Sequence, residues 1–500
     1  MTPAWARGAV IYQVYPRAFA DTNGDGVGDL AGVLSRLDHL AGGTGSLGVD
    51  AIWLSPFYPH GGMDGGYDVT DHAGVAPEFG SLADVDRLLA ACHARGVRVM
   101  LDLIPGHTSD HHPWFITARS SRTAAHRDWY LWADPRPGQA PPTNWVAEFG
   151  GSAWTLDDGT GQYFHHSFYP EQPDLNWRNP GVRGAMAEVM RFWLDRGVDG
   201  IRVDAIEPLL KDRRLRDNPP AGPPRPPWPA EPGGLRRRWT RNQPGLRGVL
   251  RDLRRVADAY PERVLLGELY APAERVAWAL GGARRDGLHL ALDHQLAKSA
   301  WDTTVFRRAI AAAERHLAPP RSPTWAFSNH DLSRHATRWG PERARLAALI
   351  LLTLRGTVCL YQGEEIGMTD VAPPAGEARD RAGRDPARAP FNWAEAGRQR
   401  ADPASLLTLY RALIDLRRDS PAVRSGTLDL RRGLPAGVLG YDRTSGSERL
   451  TVLANMSDRR VVVRLAEGGL RQVVLATDRP PMRWAESSVE ILSDQGLVLR

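Results

Sequence analysis

Residues 200–208 read GIRVDAIEP: a short β-branched run that begins at a glycine and ends in charge. On an extended strand, successive side chains leave opposite faces, so Arg202 and Asp204 share one face at the strand's end. The same grammar recurs along the chain. Apolar runs fall at 9–14 (AVIYQV), 50–54 (DAIWL), 97–103 (VRVMLDL), 199–204 (DGIRVD), 263–267 (RVLLG), 288–292 (LHLAL), 324–328 (TWAFS) and 357–361 (TVCLY). Helix-period segments lie between them, among them 81–95 with Ser81 as N-cap, 181–196, 246–260 and 341–355. Strand alternating with helix implies a parallel sheet. Eight units with polar clusters after the strands predict an α/β fold, a (β/α)₈ TIM barrel whose site is built where strands end. An open doubly wound sheet would want a glycine-rich phosphate loop after its first strand, and the aspartate-rich DTNGDGVGD stands there instead.

Three stretches break the alternation. The connection 108–178 is too long for a loop and rich in Trp, Tyr, Pro and Gly, so it reads as an inserted domain after strand three. From 421 onward the pattern becomes short alternating strands (RLTVLANM, RRVVVRLA, RQVVLAT, SVEILSDQGLVLR), which predicts a C-terminal antiparallel β-sandwich. The expected units are therefore a barrel over 1–107 and 179–420, an insertion over 108–178 and a sandwich over 421–500. The third stretch, 211–245, is rich in Pro, Gly and Arg and should be irregular, either a lid beside the site or an expanded surface loop.

Composition narrows the function classes. With 42% hydrophobic and 24% charged residues over 500 positions, the chain is neither disordered, collagenous nor coiled coil. Its 63 basic and 58 acidic residues leave only +5. Lys211 and Lys298 are the two lysines; arginine supplies the rest, as a GC-rich coding bias would. No basic stripe interleaves with aromatics, so no nucleic-acid partner is expected. Cys92 and Cys359 lie far apart, which argues against a disulfide scaffold and suits a reducing compartment. The N-terminal MTPAWARGAV lacks a signal pattern, and no run approaches the roughly 18 apolar residues of a membrane span. A cytoplasmic protein with no membrane partner is the expectation.

Three carboxylates stand at strand ends. Asp204 beside Arg202 stays ionised and suits a nucleophile, although a structural ion pair would read the same way. Glu268 leaves the apolar run LLGELY, the setting in which a carboxyl's pKa rises as a general acid requires. His330 and Asp331 end FSNHD. Together Asp204, Glu268 and Asp331 form the carboxylate set of glycoside hydrolysis.

The chain resembles the α-amylase family, glycoside hydrolase family 13, in its oligo-1,6-glucosidase and α-glucosidase branch. DLIPGHTSD (102–110), QPDLN (172–176), GIRVDA (200–205), GELY (267–270) and SNHD (328–331) carry the resemblance in order, with MDGGYDV (63–69), YQGEE (361–365) and GRDPARAPFNW (383–393). It implies Asp204 as nucleophile, Glu268 as acid/base and Asp331 as transition-state stabiliser of a retaining reaction. Arg202, His107 and His330 would hold the −1 sugar, with Tyr67 stacked beneath it or simply filling the barrel mouth. Asp64 and Arg384 match a pair that grips the non-reducing glucose and closes the pocket, giving exo action; a surface salt bridge would look the same in sequence. The substrate implied is a small oligosaccharide or glucoside. Ala205, a small residue after the nucleophile, accompanies α-1,4 over α-1,6 preference in similar enzymes. Transfer of the glucosyl group to another sugar, action on sucrose, or an inactive relative serving as an interaction subunit are the competing readings. Gly106 replaces the family's usual Asn, so no calcium is expected there and the surroundings of His107 are less defined.

DTNGDGVGD offers oxygens at Asp21, Asn23, Asp25, the Val27 carbonyl and Asp29 in calcium-loop spacing, but Gly32 stands where an EF-hand needs Glu. Related α-glucosidases have a similar loop, so a structural Ca²⁺, or Mg²⁺, is expected, against a plain Asp-Gly turn. No organic cofactor is implied. Adjacent His111 and His112 have poor geometry for zinc. Trp114, Trp129, Trp132, Trp145 and Trp154 are either sugar-stacking surface or core.

Overall fold

Eight strands close into a parallel barrel in the order β1-β11-β10-β9-β8-β7-β3-β2. They are β1 (Val10–Val14), β2 (Ala51–Leu54), β3 (Arg98–Leu103), β7 (Gly200–Val203), β8 (Val264–Gly267), β9 (Leu290–Asp293), β10 (Thr324–Ala326) and β11 (Thr357–Tyr361), all within a few residues of the expected runs. This computed structural model describes residues 2–224, 231–374, 376, 378–465, 472–478, 484–485 and 488–500. Positions 225–230 of the Pro/Arg-rich stretch, and the expected strand ends at 466 and 471, lie outside them.

The pleat sorts each strand. Ile11, Trp53, Met100, Leu266, Leu292, Ala326 and Cys359 form one buried cluster, while Val10, Tyr12, Ile52, Val99 and Leu265 belong to the larger cluster with the helices. Two residues beyond members of the first set come Gln13, Ser55, Asp102, Glu268, His294, Ser328 and Tyr361. The barrel thus passes within one pleat from an apolar plug to a polar layer at its C-terminal end.

The helices begin where the sequence gives them donors for their free amides. Ser81 and Asp84 make a capping box for helix Leu82–Ala94, and the Asn179 side chain caps Pro180–Asp195. The helix expected at 341–355 is a 3₁₀ turn, Pro341–Arg343, running into Ala344–Thr353, every residue of which but Arg345 is buried.

Between β3 and β7 stand helix Pro113–Arg119 and the antiparallel strands β4 (Trp132–Ala133), β5 (Trp154–Asp157) and β6 (Gln162–His165), in the order β4-β6-β5. Trp145 and Trp154 are core here: both are buried, with ring centroids 5.7 Å apart. Trp239, from the Pro/Arg-rich stretch, and Leu215 pack onto this cluster. At the C-terminus, β12 (Thr427–Leu430), β13 (Val438–Ser445), β14 (Glu448–Asn455), β16 (Val473–Ala476) and β19 (Gly496–Leu499) form one antiparallel sheet. A second is formed by β15 (Val461–Arg464), β17 (Trp484–Ala485) and β18 (Ser488–Ile491). Val438, Leu453 and Leu497 of the first meet Val463, Val489 and Ile491 of the second in one apolar cluster, the signature of a sandwich.

Glu364, just past β11, is fully buried, and burial pushes its carboxyl up to about 8 from 4.5. The folded protein therefore holds a proton that the unfolded chain releases, so stability falls as pH rises from about 4.5 to about 8. The loss attributable to this group is at most about 1.4 kcal/mol per unit in that window. Glu364→Gln should flatten the decline of Tm between pH 5 and 8; an equally steep decline in the variant would remove Glu364 as its cause.

Candidate active site

Arg202 is fully buried and touches three carboxylates. Its Nη1 lies 2.6 Å from Asp204 Oδ1 and 3.0 Å from Asp102 Oδ2, and its Nη2 lies 2.8 Å from Glu268 Oε2. Its guanidinium sits 5.0 Å from the Trp53 ring centroid, and the Trp53 indole donates to Asp102 Oδ1 at 2.5 Å. Burial raises Asp102, and Arg202 opposes the shift. Tyr67 donates to Asp102 Oδ2 at 2.7 Å and stacks parallel to His330 with centroids 5.1 Å apart.

Asp204 and Glu268 belong to one titrating unit. Burial and the adjacent carboxylates push Asp204 well above its ordinary range despite Arg202. Burial would raise Glu268 too, but Arg202, with His294 and His330, holds it below. Both shifts run opposite to the sequence expectation of an ionised Asp204 and a raised Glu268, because burial outweighs the one guanidinium at Asp204 while that guanidinium outweighs burial at Glu268. With Asp204 raised and Glu268 lowered, a proton taken up by the pair goes first to Asp204, and moving it to Glu268 exchanges the acid and the base. Glu268 Oε2 accepts from the Ala205 amide at 3.2 Å, whereas its buried Oε1 has no partner among the described residues. Ala205 has φ of +37°, a left-handed backbone that a non-glycine residue adopts only under strain.

Asp331 is held by three donors. Arg384 Nη1 and Arg388 Nη2 reach its Oδ1 at 2.9 and 3.0 Å, and His330 Nε2 lies 3.0 Å from Oδ2. Burial opposes ionisation, yet His330, Arg384 and Arg388 keep this carboxyl well below the usual range. Arg384 also binds Asp64 at 2.5 Å and Asp380 at 2.7 Å. Gln172 donates to the other Asp64 oxygen at 3.0 Å and lies 3.1 Å from His107 Nε2, which is 3.0 Å from the Tyr67 carbonyl. Asp64, Tyr67, His107, Arg202, His330 and Arg384 are thus joined through a few bonds to the three strand-end carboxylates. Gly106 leaves its place open: a Cβ there would meet nothing nearer than Leu209 at 4.0 Å.

Sequence reasoning missed Asp102, Gln172 and Arg388. All three lie inside motifs it quoted, and their partners come from strands and loops distant in the chain. It also missed Gln13, whose Nε2 lies 2.7 Å from His330 Nδ1 and whose only signal is a polar residue in an otherwise apolar strand.

The described parts of the Pro/Arg-rich stretch are largely irregular and dock on the insertion. Asn144 and Asn218 exchange bonds of 2.8 and 2.9 Å, and the Trp145 indole donates to the Arg216 carbonyl at 2.8 Å. Arg237 and Arg241 both pair with Glu148, and Lys211 pairs with buried Asp174.

The metal-loop residues are arranged as a turn. Asp21 accepts from the amides of Asn23, Gly24 and Gly26 at 2.7–3.0 Å, Asn23 from Asp25 at 2.9 Å, and Asp25 from Val27 at 2.8 Å. Gly24 and Gly26, at φ of +80° and +82°, supply the left-handed steps of the wrap. Asp29 is buried and committed elsewhere, accepting from Gly32 at 2.6 Å as N-cap of helix Leu30–Ser35 and from Thr22. The oxygen chemistry of Asp21, Asn23, Asp25 and the Val27 carbonyl suits a hard cation. Even so, no cluster of three or more His, Cys, Asp or Glu groups forms a cage among the described residues.

A parallel barrel with three carboxylates at its C-terminal end defines a glycosidase-type site. The profile of the alpha-amylase catalytic domain matches residues 13–426, and the chain belongs to that family of glycoside hydrolases. It is 40% identical to a probable alpha-glucosidase of Rhizobium meliloti, over 92% of this chain and 91% of that protein. It is 33% identical to the oligo-1,6-glucosidase of Parageobacillus thermoglucosidasius, over 93% of each. Among solved structures, the alpha-glucosyl transfer enzyme XgtA superposes with a TM-score of 0.91 at 35% identity, covering 100% of both chains. The trehalulose synthase MutB of Pseudomonas mesoacidophila superposes with 0.88 at 30%, again covering 100% of both.

Asp204→Asn keeps the shape and removes the charge that burial opposes. Activity should fall at least about 10³-fold, as loss of a nucleophile does, while Tm holds or rises. Activity near wild type would remove Asp204 from the chemistry.

Proposed function

We propose that the chain is a retaining, exo-acting α-glucosidase that releases terminal α-linked glucose, with α-1,4 preferred, from short oligosaccharides through a covalent glucosyl-enzyme. The observation that carries this reading is the pairing of Asp204 and Glu268 on one buried arginine, with the Asp64–Arg384 ion pair linked to Asp331 beside them. The relatives named alpha-glucosidase and oligo-1,6-glucosidase support it.

In this reading Asp204 attacks the anomeric carbon. Glu268, through the buried Oε1 that has no partner among the described residues, gives its proton to the glycosidic oxygen as the C–O bond breaks. A glycosidic oxygen accepting from Glu268 favours the microstate with the proton on Glu268 and the charge on Asp204. Water then gives its proton to the Glu268 carboxylate and attacks the same carbon, freeing Asp204 and releasing α-glucose. Asp331, kept ionised by its three donors, faces the positive charge that develops on the sugar ring. Tyr67 offers ring surface to the sugar, His107, His330 and Arg202 line its hydroxyl side, and Asp64 with Arg384 ends the pocket, so one glucose fits beyond the scissile bond.

A second reading, transfer to a sugar acceptor, is favoured by the likeness to the alpha-glucosyl transfer enzyme and the trehalulose synthase. It uses the same intermediate with a sugar in place of water. An inactive interaction subunit is disfavoured because all three carboxylates are present and connected. The buried free cysteines Cys92 and Cys359 support a cytoplasmic setting. No described helix is long and apolar enough to cross a membrane.

Incubating the protein with maltose, isomaltose, sucrose and p-nitrophenyl α-glucoside, with products followed by NMR, should show α-glucose first and maltose faster than isomaltose. Initial β-glucose would overturn the retaining mechanism, and isomaltose cleaved as fast as maltose the linkage preference. Larger or isomerised sugars as main products would favour transfer.

The loop 21–29 is proposed to hold a structural Ca²⁺ or Mg²⁺ through Asp21, Asn23, Asp25 and the Val27 carbonyl, with Asp29 as the remaining candidate ligand; what supports this is the spacing of oxygens around a tight wrap. Calcium should raise Tm and chelator lower it, with kcat of the folded enzyme unchanged. A Tm indifferent to both would leave the loop a simple Asp-Gly turn.

A further inference from the structure

At the opposite end of the barrel from Asp204, Glu268 and Asp331 lies a recess lined by four arginines. Arg7 precedes β1 and Arg321 precedes β10, so the recess opens where strands begin rather than where they end. Helix Leu246–Asp258 contributes Arg254, and the turn before β9 contributes Arg285. Among the described residues no carboxylate lines it; Leu280, Leu288 and Pro320 complete the wall with apolar surface.

The carboxylates nearby are already committed. Asp258 binds Arg254 Nε at 2.7 Å, while Asp286 binds Arg251 at 2.9 Å and Arg247 at 3.6 Å. Arg7, Arg285 and Arg321 make no ion pair with any described residue. Arg254 is only 6% exposed: Asp258 and the Gly287 carbonyl, 2.9 Å from Nη1, fix its guanidinium and leave Nη2 without a bond to the described residues. Burial, and Arg254 after it, push the neighbouring His289 down to about 3 against the pull of Asp258, so that ring is neutral and the surplus charge belongs to the arginines.

Like charges gathered in a concave wall repel one another and focus their field on whatever enters. A guanidinium fork meets two oxygens of an anion at once. Four such forks offer more donors than the two oxygens of a carboxylate can use, whereas a phosphate presents three or more oxygens on different sides. The leucines and the proline give the carbon part of an ester a surface to lie on.

We infer that this recess binds the phosphate group of a small molecule, either a phosphorylated sugar or free phosphate, at a site separate from the carboxylates of the barrel mouth. A phosphate clasped there joins the segment before β1, helix Leu246–Asp258 and the turns before β9 and β10, and it relieves the repulsion among the arginines. The inference does not rest on the glucosidase reading.

The test titrates the full-length chain with inorganic phosphate and with glucose 6-phosphate by calorimetry at about pH 7.5, where a phosphate monoester is mostly a dianion. Tm is followed alongside, with NaCl of matched ionic strength as control. Both phosphates should bind saturably and raise Tm beyond the salt control. Tighter binding of glucose 6-phosphate would identify the ester as the ligand, and equal affinity free phosphate. The triple variant Arg7→Gln/Arg285→Gln/Arg321→Gln should weaken binding at least about 10-fold, as loss of charge-assisted bonds does, with Tm in the absence of phosphate at or above that of wild type. A salt control that matches phosphate, or the lack of saturable binding, would overturn the proposal. So would a triple variant that binds both ligands as tightly as wild type, which places their site elsewhere, the barrel mouth included. Arg7 and Arg285 are exposed and Arg321 half-buried, so should the triple variant fail to fold, the three single variants are titrated against the same criterion.

Discussion

One buried guanidinium holds the site together. Arg202 is inaccessible to solvent and touches Asp102, Asp204 and Glu268, drawn from β3 and the ends of β7 and β8. Taking a charge out of water costs several kcal/mol, and a buried pair recovers this only when its geometry is good and its remaining hydrogens find partners. Here one cation faces three carboxylates, so the fully ionised cluster would carry an excess of two negative charges. A proton held by Asp204 and passed to Glu268 relieves part of that excess. The same imbalance that makes the cluster a poor stabiliser makes it an acid–base device.

A second ionic layer ties the irregular stretch to the insertion, and the two lysines are informative there. In a chain where arginine has replaced almost every basic residue, Lys211 lies buried on Asp174, and Lys298 lies over the Tyr270 ring at 4.1 Å. Burial, with Arg241 nearby, pushes Lys298 down to about 8 against the opposing pull of Glu268. A compact ammonium fits where a planar fork does not, and it can lose its proton as a guanidinium cannot. Lys211 anchors the start of the 211–245 stretch, and Arg237 and Arg241 anchor its end on Glu148. The described parts of the stretch behave as a strap on the insertion rather than as a free surface loop.

The eight barrel strands were legible because strands buried on both faces are written as nearly continuous apolar runs, and each run ends in polar residues. Asp204, Glu268 and Asp331 were legible for the same reason: charge at the end of an apolar run marks the barrel's mouth. Relations across the barrel were not. Gln13 is three residues into β1 and His330 follows β10, so their contact depends on the register of strands that share no local pattern. Arg384 was expected to grip the substrate with Asp64; that it also holds Asp331 could not be read from residues 53 positions apart. In the sandwich, β12 and β13 precede the segments whose alternation was most visible, because the stretch 427–437 mixes charge and glycine with its strand residues.

Arg384 makes specificity and chemistry parts of one network. It spans Asp64, Asp380 and Asp331, so in the proposed mechanism the residue that ends the pocket also fixes the charge beneath the transition state. Its pKa is driven upward by these carboxylates against burial, which means it is charged throughout. A glucose whose terminal hydroxyls bond Asp64 and Arg384 must share these ion pairs rather than break them, since separating a largely buried pair is costly. A chain extended past that glucose would have to part Asp64 from Arg384 and thereby loosen one of three supports of Asp331. The proposed exo action would then rest on more than a steric wall: a substrate that opens the pocket's end would also weaken the electrostatics at its centre.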